Sequence, residues 1–187
     1  MKSLAKDTAI YGLSSIIGKF LNYLLVPLYT YALARTADYG IVTNIYAWTA
    51  LLLVILTYGM ETGFFRFVNR EDYDPKTVYK TAFMTLLCSS TLFTILVIIF
   101  HQPIAGVLGY PDHAEFVEMM FATVAIDAFA CIPFAYLRYQ KRPIRFAVLK
   151  LLFVILNIAF NLLFLVVLGK NDVFYVFLSN ILATVIQ

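Results

Sequence analysis

Lys19 and Asp127 are the residues of this chain whose type and position most invite chemistry. Each stands near the middle of a long apolar run, where an ionisable side chain costs about 2.5–3.5 kcal/mol on membrane-insertion scales and marks a path for substrate or ions. The plainer reading of the same two residues is a structural pair that fixes helix packing. Counting by three and four from Lys19 gathers Tyr11, Gly12, Ser15, Asn22 and Tyr23, with Thr30 further along, into one polar stripe on an otherwise apolar helix.

A second group lies in TYGMETGFFRF, residues 57–67, where an apolar run closes with Glu61, two glycines and Arg66 among phenylalanines. Five positions at about 100° each put Glu61 and Arg66 on different faces, so their partners are expected on other helices. Glu61 suits either a cavity wall or a carboxylate reaching for the interface. Arg138 follows Asp127 by eleven residues on nearly the same face, about 16 Å nearer one end. It suits an anion ligand or a positive-inside anchor equally. Asn157 and Asn161, one turn apart, fit helix-packing glue better than ligands.

Enzymatic signals are poor. Asp72-Tyr73-Asp74 matches the loose DxD pattern that holds a metal in glycosyltransferases, but a charged loop before Pro75 fits a solvated turn far better. His101 and His113 lack ligand spacing, and no phosphate-cradling glycine loop, nucleophile elbow or zinc signature is present. No metal, no cofactor and no enzyme activity are expected. Cys88 and Cys131 fall in apolar segments, where packing is the expected role and a disulfide is not.

These residues need apolar elements to carry them. Of 187 residues, 62% are hydrophobic and 13% charged, about half the charge of a soluble domain. The fold class is an all-α integral membrane protein, a polytopic helical bundle. Residues 9–33 are too long for a signal-peptide core and read as a first span, kinked at Pro27. A second span is expected over 41–67, ended by a polar loop at 69–80 that contains Pro75. A third covers 82–100, and its hydroxyl residues suit close helix packing. A turn-rich loop is expected over 101–115, then spans over 116–136 and 146–168, with Pro133 just after the apolar centre of the former. A sixth segment starts near Val173 and is too short at Gln187 to cross.

The basic residues give the orientation. Lys2, Lys6, Arg66, Arg70, Lys76, Lys80, Arg138, Lys141, Arg142, Arg145 and Lys150 all fall on one side of five alternating spans, and the other side receives only Arg35 and Lys170. That bias places the amino terminus in the cytoplasm. Basic loops facing anionic lipid headgroups need no nucleic acid to explain them.

Three stretches in order carry a family resemblance: SSIIGKFLNYLLVPLYTYALARTADYGIVT, TYGMETGFFRF, and IDAFACIPFAYLRYQKRPIRFAVLKLLFVILNIAFNLLF. The chain resembles the amino-terminal half of Wzx-type flippases, the polysaccharide and O-antigen repeat-unit exporters of the multidrug/oligosaccharidyl-lipid/polysaccharide superfamily. That superfamily also holds the multidrug and toxin extrusion (MATE) transporters. The resemblance implies a MATE-like lobe with five full spans and a truncated sixth, residues 1–187 forming the first of two bundles around a cavity open alternately to each side. It also implies a lipid-linked, pyrophosphate-bearing oligosaccharide as cargo, as in lipopolysaccharide assembly, with Lys19 standing where related proteins often carry arginine. The cavity-lining set would then be Ser15, Lys19, Asn22, Tyr23, Glu61, Arg66, Asp127, Arg138, Asn157 and Asn161.

Expected partners are the lipid-linked oligosaccharide, membrane lipids, a coupling proton or sodium ion, and a missing carboxy-terminal half. The expected location is a bacterial cytoplasmic membrane. Two other readings stand beside the flippase. A drug antiporter of the same fold would rely on acids more than on a cation such as Lys19. A membrane enzyme or structural membrane protein would show a compact catalytic cluster or no intramembrane charge.

Overall fold

The computed structural model describes residues 2–187, with the side chains of residues 2–8, 14, 15, 22 and 36 outside the description. The described chain is all helix, loop and turn: α1 (Lys2–Tyr23), α2 (Leu25–Ala32), α3 (Thr36–Thr57), α4 (Met60–Val68), α5 (Pro75–Leu108), α6 (Ala114–Tyr139), α7 (Pro143–Asn161), a π-helical segment (Leu162–Val167), and α8 (Val173–Ile186). Among the described residues, five stretches are long and apolar enough to cross a membrane: Ala9–Ala32, Ala37–Val68, Pro75–Leu108, Ala114–Tyr139 and Pro143–Val167, while Val173–Ile186 is shorter. The protein is thus an all-α polytopic membrane protein.

Element boundaries depart from hydropathy where backbone chemistry intervenes. The first span breaks at Leu24, and the bend has the expected cause: Pro27 has no N–H to donate to the carbonyl of Tyr23, and the chain restarts as α2. The second span, expected unbroken over 41–67, begins at Thr36 and is cut in two. Tyr58 at φ 33° and Gly59 at φ 71° take the left-handed conformation between α3 and α4. The loop expected over 69–80 stops at residue 74: Pro75 opens α5 at its first turn, where a proline gives up only an N–H that would have no helical acceptor anyway. Its neighbour Asp74 caps the helix, accepting from the Thr77 backbone N–H at 3.0 Å and the Thr77 hydroxyl at 2.9 Å.

The loop expected over 101–115 is a second correction. α5 runs on through His101 and Pro103 to Leu108, and Gly109 at φ 86° ends it. Pro133 likewise sits inside α6. Both prolines stand in apolar helices of 26 to 34 residues, whose neighbouring turns supply enough hydrogen bonds to carry one missing donor. The span expected over 146–168 starts three residues earlier and loosens into the π-helical segment over its last turns.

Two compact units divide the chain, one from residues 1–44 and 141–187, the other from residues 45–140. In the first, α7 packs against α1 and α8. Tyr11 meets Phe146 edge to face at 5.2 Å, and Gln187 donates to the Leu149 carbonyl at 3.3 Å. That contact sets α7 and α8 antiparallel. In the second unit α5 and α6 pack along their lengths and α4 lies against both. Phe64, Val68, Ala82, Leu86, Ile132 and Ala135 form its buried core at the α4 end.

Candidate functional site

The site of interest in the second unit grows out of the break at Tyr58–Gly59. By ending α3 there, the chain releases nine residues as a separate helix, α4, with its own facing. Phe64 and Val68, one turn apart, point into the core, with Phe64 edge to face against Tyr136 and Tyr139 at 6.4 Å each. Glu61 and Phe65, also one turn apart, form the adjacent face. On α6, Cys131 and Arg138 are seven residues apart, two turns along one face. The two faces meet as a set of four.

Arg138 Nη2 lies 2.5 Å from Glu61 Oε1 in an ion pair, and the Cys131 thiol donates to Glu61 Oε2 at 3.6 Å. The guanidinium carbon sits 5.3 Å from the centre of the Phe65 ring, within range of a cation–π contact. The pair is open on one side, with 41% of the Glu61 side chain and 31% of the Arg138 side chain exposed. Glu61 in the first turn of α4 and Arg138 in the last turn of α6 also oppose the helix dipoles favourably.

The other residues singled out from the sequence fall elsewhere. Arg66 is exposed on α4 and is not the partner of Glu61, as their spacing requires. Asp127 is half-buried on α6, three turns from Arg138. Lys19 and Tyr23 are exposed on α1 in the other unit, and the side chains of Ser15 and Asn22 lie outside the described residues. Asn157 and Asn161 are buried at 3% and 0% exposure. The Asn161 amide donates to the Asn157 carbonyl at 2.8 Å and to its Oδ1 at 3.1 Å. The Asn161 bonds lie within α7, and Ser179, Asn180 and Thr184 are likewise buried on α8 of the same unit.

The DxD reading does not survive: Asp74 is spent capping α5. The hydroxyl of Thr77, then its backbone N–H, holds the Asp74 carboxyl below its ordinary range. His101 turns Nδ1 to the Ile98 carbonyl at 2.7 Å, and His113 stacks on Phe116 beside Glu115. Among the described residues no three of His, Cys, Asp and Glu gather as a metal set. Among the described residues, neither Cys88 nor Cys131 is in a disulfide.

Sequence reasoning named Glu61 and Arg138 singly but did not join them, and it gave Cys131 only a packing role. The usable signal was the two-turn spacing of Cys131 and Arg138 combined with a glycine-broken helix carrying an acid and an aromatic one turn apart. A further feature of this unit is an open apolar groove of about 620 Å³ with Trp48, Leu52, Phe93, Phe100 and Phe121 among its walls. Such a lining suits hydrocarbon.

No curated protein and no solved structure matches the chain. A family model does, and it matches almost end to end: residues 4–187 align with the model described as polysaccharide biosynthesis protein. A multi-pass helical chain matched over that length belongs to the polysaccharide biosynthesis protein family.

Proposed function

We propose that this protein moves a lipid-linked oligosaccharide repeat unit, carried on a polyprenyl pyrophosphate, across a bacterial cytoplasmic membrane by alternating access. It acts as a transporter and not as an enzyme, with its amino terminus in the cytoplasm and a proton or sodium ion as its driving partner. The observation that carries this reading is the family match over residues 4–187 of a chain with five membrane-crossing stretches. Polysaccharide synthesis that begins on a cytoplasmic lipid carrier needs a membrane-crossing step, and a chain built almost wholly of apolar helices is suited to that step. The Glu61–Arg138 pair, open on one side towards the ends of two of those stretches, supports a pathway with a polar wall at that end. Arg138 supplies a cation for an anionic headgroup, whereas a drug antiporter would rest on unpaired acids.

The test is complementation. A bacterium deleted for its own repeat-unit exporter is given the full protein and scored for surface polysaccharide and for lipid-linked repeat units held inside. Restored surface polymer supports the reading. Dye efflux without polymer would favour the antiporter, and chemically altered lipid-linked intermediates would favour an enzyme.

A further inference from the structure

The open groove of the second unit is walled by Trp48 and Leu52 of α3, Phe121 of α6 and residues from Phe93 to Leu108 of α5. The charges around it fix its depth in the membrane. Residues 81–108 contain no aspartate, glutamate, lysine or arginine, a run of about 42 Å at 1.5 Å per residue. The hydrocarbon layer is about 30 Å thick, so burying the whole run would take a tilt of about 45°, beyond the usual range.

Two markers show where the run leaves the layer. A length of about 30 Å along α5 from Lys80, the last charge before the run, ends near Phe100. The second marker lies on α6. Tyr79 meets Tyr136 at 4.6 Å and Phe93 meets Phe121 at 6.2 Å, so antiparallel counting sets Glu118 level with Leu96 and Glu115 level with Ile99. Glu118 is exposed, as is 45% of the Glu115 side chain, and carboxylates at that height mark the edge of the hydrocarbon. The groove walls from Pro103 to Leu108 therefore stand outside it, where lipid tails cannot cover them, and Val107 is 89% exposed.

The form of the groove indicates what does cover it. Its α5 wall repeats every three or four residues, at Phe93, Val97, Phe100, Ile104 and Val107, the spacing of a stripe that seats another helix. Glu118 stands one turn before Phe121 at the rim, and residues 81–137 hold no lysine or arginine to answer it.

We propose that this groove docks one apolar membrane-crossing helix of a partner protein, which carries lysine or arginine level with Glu118 and continues as an apolar helix beside residues 103–108. Its apolar face fills the groove, and its cation selects the site and the direction in which the helix lies. The docking stands or falls apart from the transport reading, since neither the groove nor its rim is assigned to cargo.

Trp48 is the only tryptophan of the chain, so its fluorescence reports what fills the groove. The full chain is reconstituted in phospholipid vesicles with a tryptophan-free leucine–alanine helix of about 28 residues, long enough to cross the layer and pass it by two turns. One peptide carries a lysine pair two turns from one end, its twin carries a glutamate pair there, and both bear a dansyl acceptor beside the pair. Energy transfer from Trp48 to the lysine peptide should saturate and be reversed by unlabelled lysine peptide, with the glutamate twin about tenfold weaker. Val107→Glu, at an exposed position, should weaken the lysine peptide about tenfold, and Glu118→Lys should invert the preference between the twins.

Transfer that rises linearly with peptide density for both twins is random mixing and would overturn the proposal, as would a preference untouched by Glu118→Lys. Other occupants have their own signatures. Phospholipids with brominated chains that quench Trp48 equally with and without saturating lysine peptide would assign the groove to bilayer lipid. Transfer between donor-labelled and acceptor-labelled copies of the chain that Val107→Glu abolishes would assign it to a second copy, and either result overturns the partner helix.

Discussion

Asn161 spends its side-chain amide on Asn157, one turn earlier on the same face of α7, bonding both the backbone carbonyl and the side-chain oxygen. Both residues are buried, and while the Asn161 amide nitrogen is satisfied, its Oδ1 accepts no bond among the described residues. Asn161→Asp would set a carboxylate against two acceptors. It should lower stability by about 1–3 kcal/mol, the cost of a buried polar group left unmatched. Replacing both residues by leucine removes the side-chain donor and the side-chain acceptors together, leaving only the Asn157 backbone carbonyl, and should cost less than the single change. Thermal midpoints in detergent check the order; an aspartate variant as stable as the parent would remove the pair from the list of structural contacts.

The junction of α3 and α4 gives a second expectation. Gly59 sits at φ 71° with open space where a Cβ would stand, so a substitution there is penalised by backbone alone. Gly59→Ala should destabilise by about 1–2 kcal/mol. Tyr58 at φ 33° is already strained and half-exposed. Tyr58→Gly should come out near zero, because the strain it relieves, about 1–2 kcal/mol, is offset by about 0.5–1 kcal/mol of glycine entropy and by lost ring contacts. Equal losses for the two variants would contradict the left-handed junction.

These two sites show what the residue order could and could not disclose. The asparagines were legible because a helical period of four residues joins neighbours whatever the surrounding fold. The five spans were legible because burying a backbone in hydrocarbon demands long apolar helices. The Tyr58–Gly59 break was not, since a left-handed residue leaves no mark on hydropathy and glycine alone is ambiguous in a membrane helix. Pro103 and the glycines around it mimicked a loop because their turn preference holds in water, while apolar surroundings reward continued helix. The partner of Glu61 was out of reach for another reason. It depends on how α4 and α6 face each other, and that is decided by Phe64 and Val68 finding Ile132 and Ala135.

Asp74 predicts a response to acid. Its carboxyl is held below the ordinary value of 3.8 by the Thr77 hydroxyl and backbone N–H. A carboxyl whose folded pKa lies below its unfolded value adds stability above the unfolded value and loses it as pH falls through the folded one. The start of α5 should therefore keep its protection in amide exchange at neutral pH and lose it below about pH 3.8. Asp74→Asn retains a capping oxygen and should flatten that acid limb while matching the parent at pH 7. Asp74→Ala should fray the helix start at every pH. An unchanged acid limb in Asp74→Asn would assign the effect to another group.

Lys19 carries a prediction of export. It is exposed on α1, at a depth where a charge is costly unless it meets water or an anion. In the complementation strain, Lys19→Ala should cut surface polymer at least tenfold with membrane abundance intact, and Lys19→Arg should retain part of it. Full export by the alanine variant would remove Lys19 from the anion path.

The last prediction concerns orientation, and the second unit makes it sharp. Tyr79 near the start of α5 and Tyr136 near the end of α6 have ring centres 4.6 Å apart, so residues 69–74 and Gln140 emerge at the same end of the helix pair. Gly109–His113, joining the other ends, emerges opposite. The shared end is flanked by Arg70, Lys76, Lys80, Lys141 and Arg142, while the opposite connection has no lysine or arginine. Lysines and arginines are retained on the cytoplasmic side. With both native cysteines replaced by serine, Glu71→Cys and Gln140→Cys should resist a membrane-impermeant maleimide in intact cells and react after permeabilisation. Asp112→Cys should react from outside. The reverse pattern at all three positions would invert the topology, and a split between Glu71→Cys and Gln140→Cys would contradict the α5–α6 pairing itself.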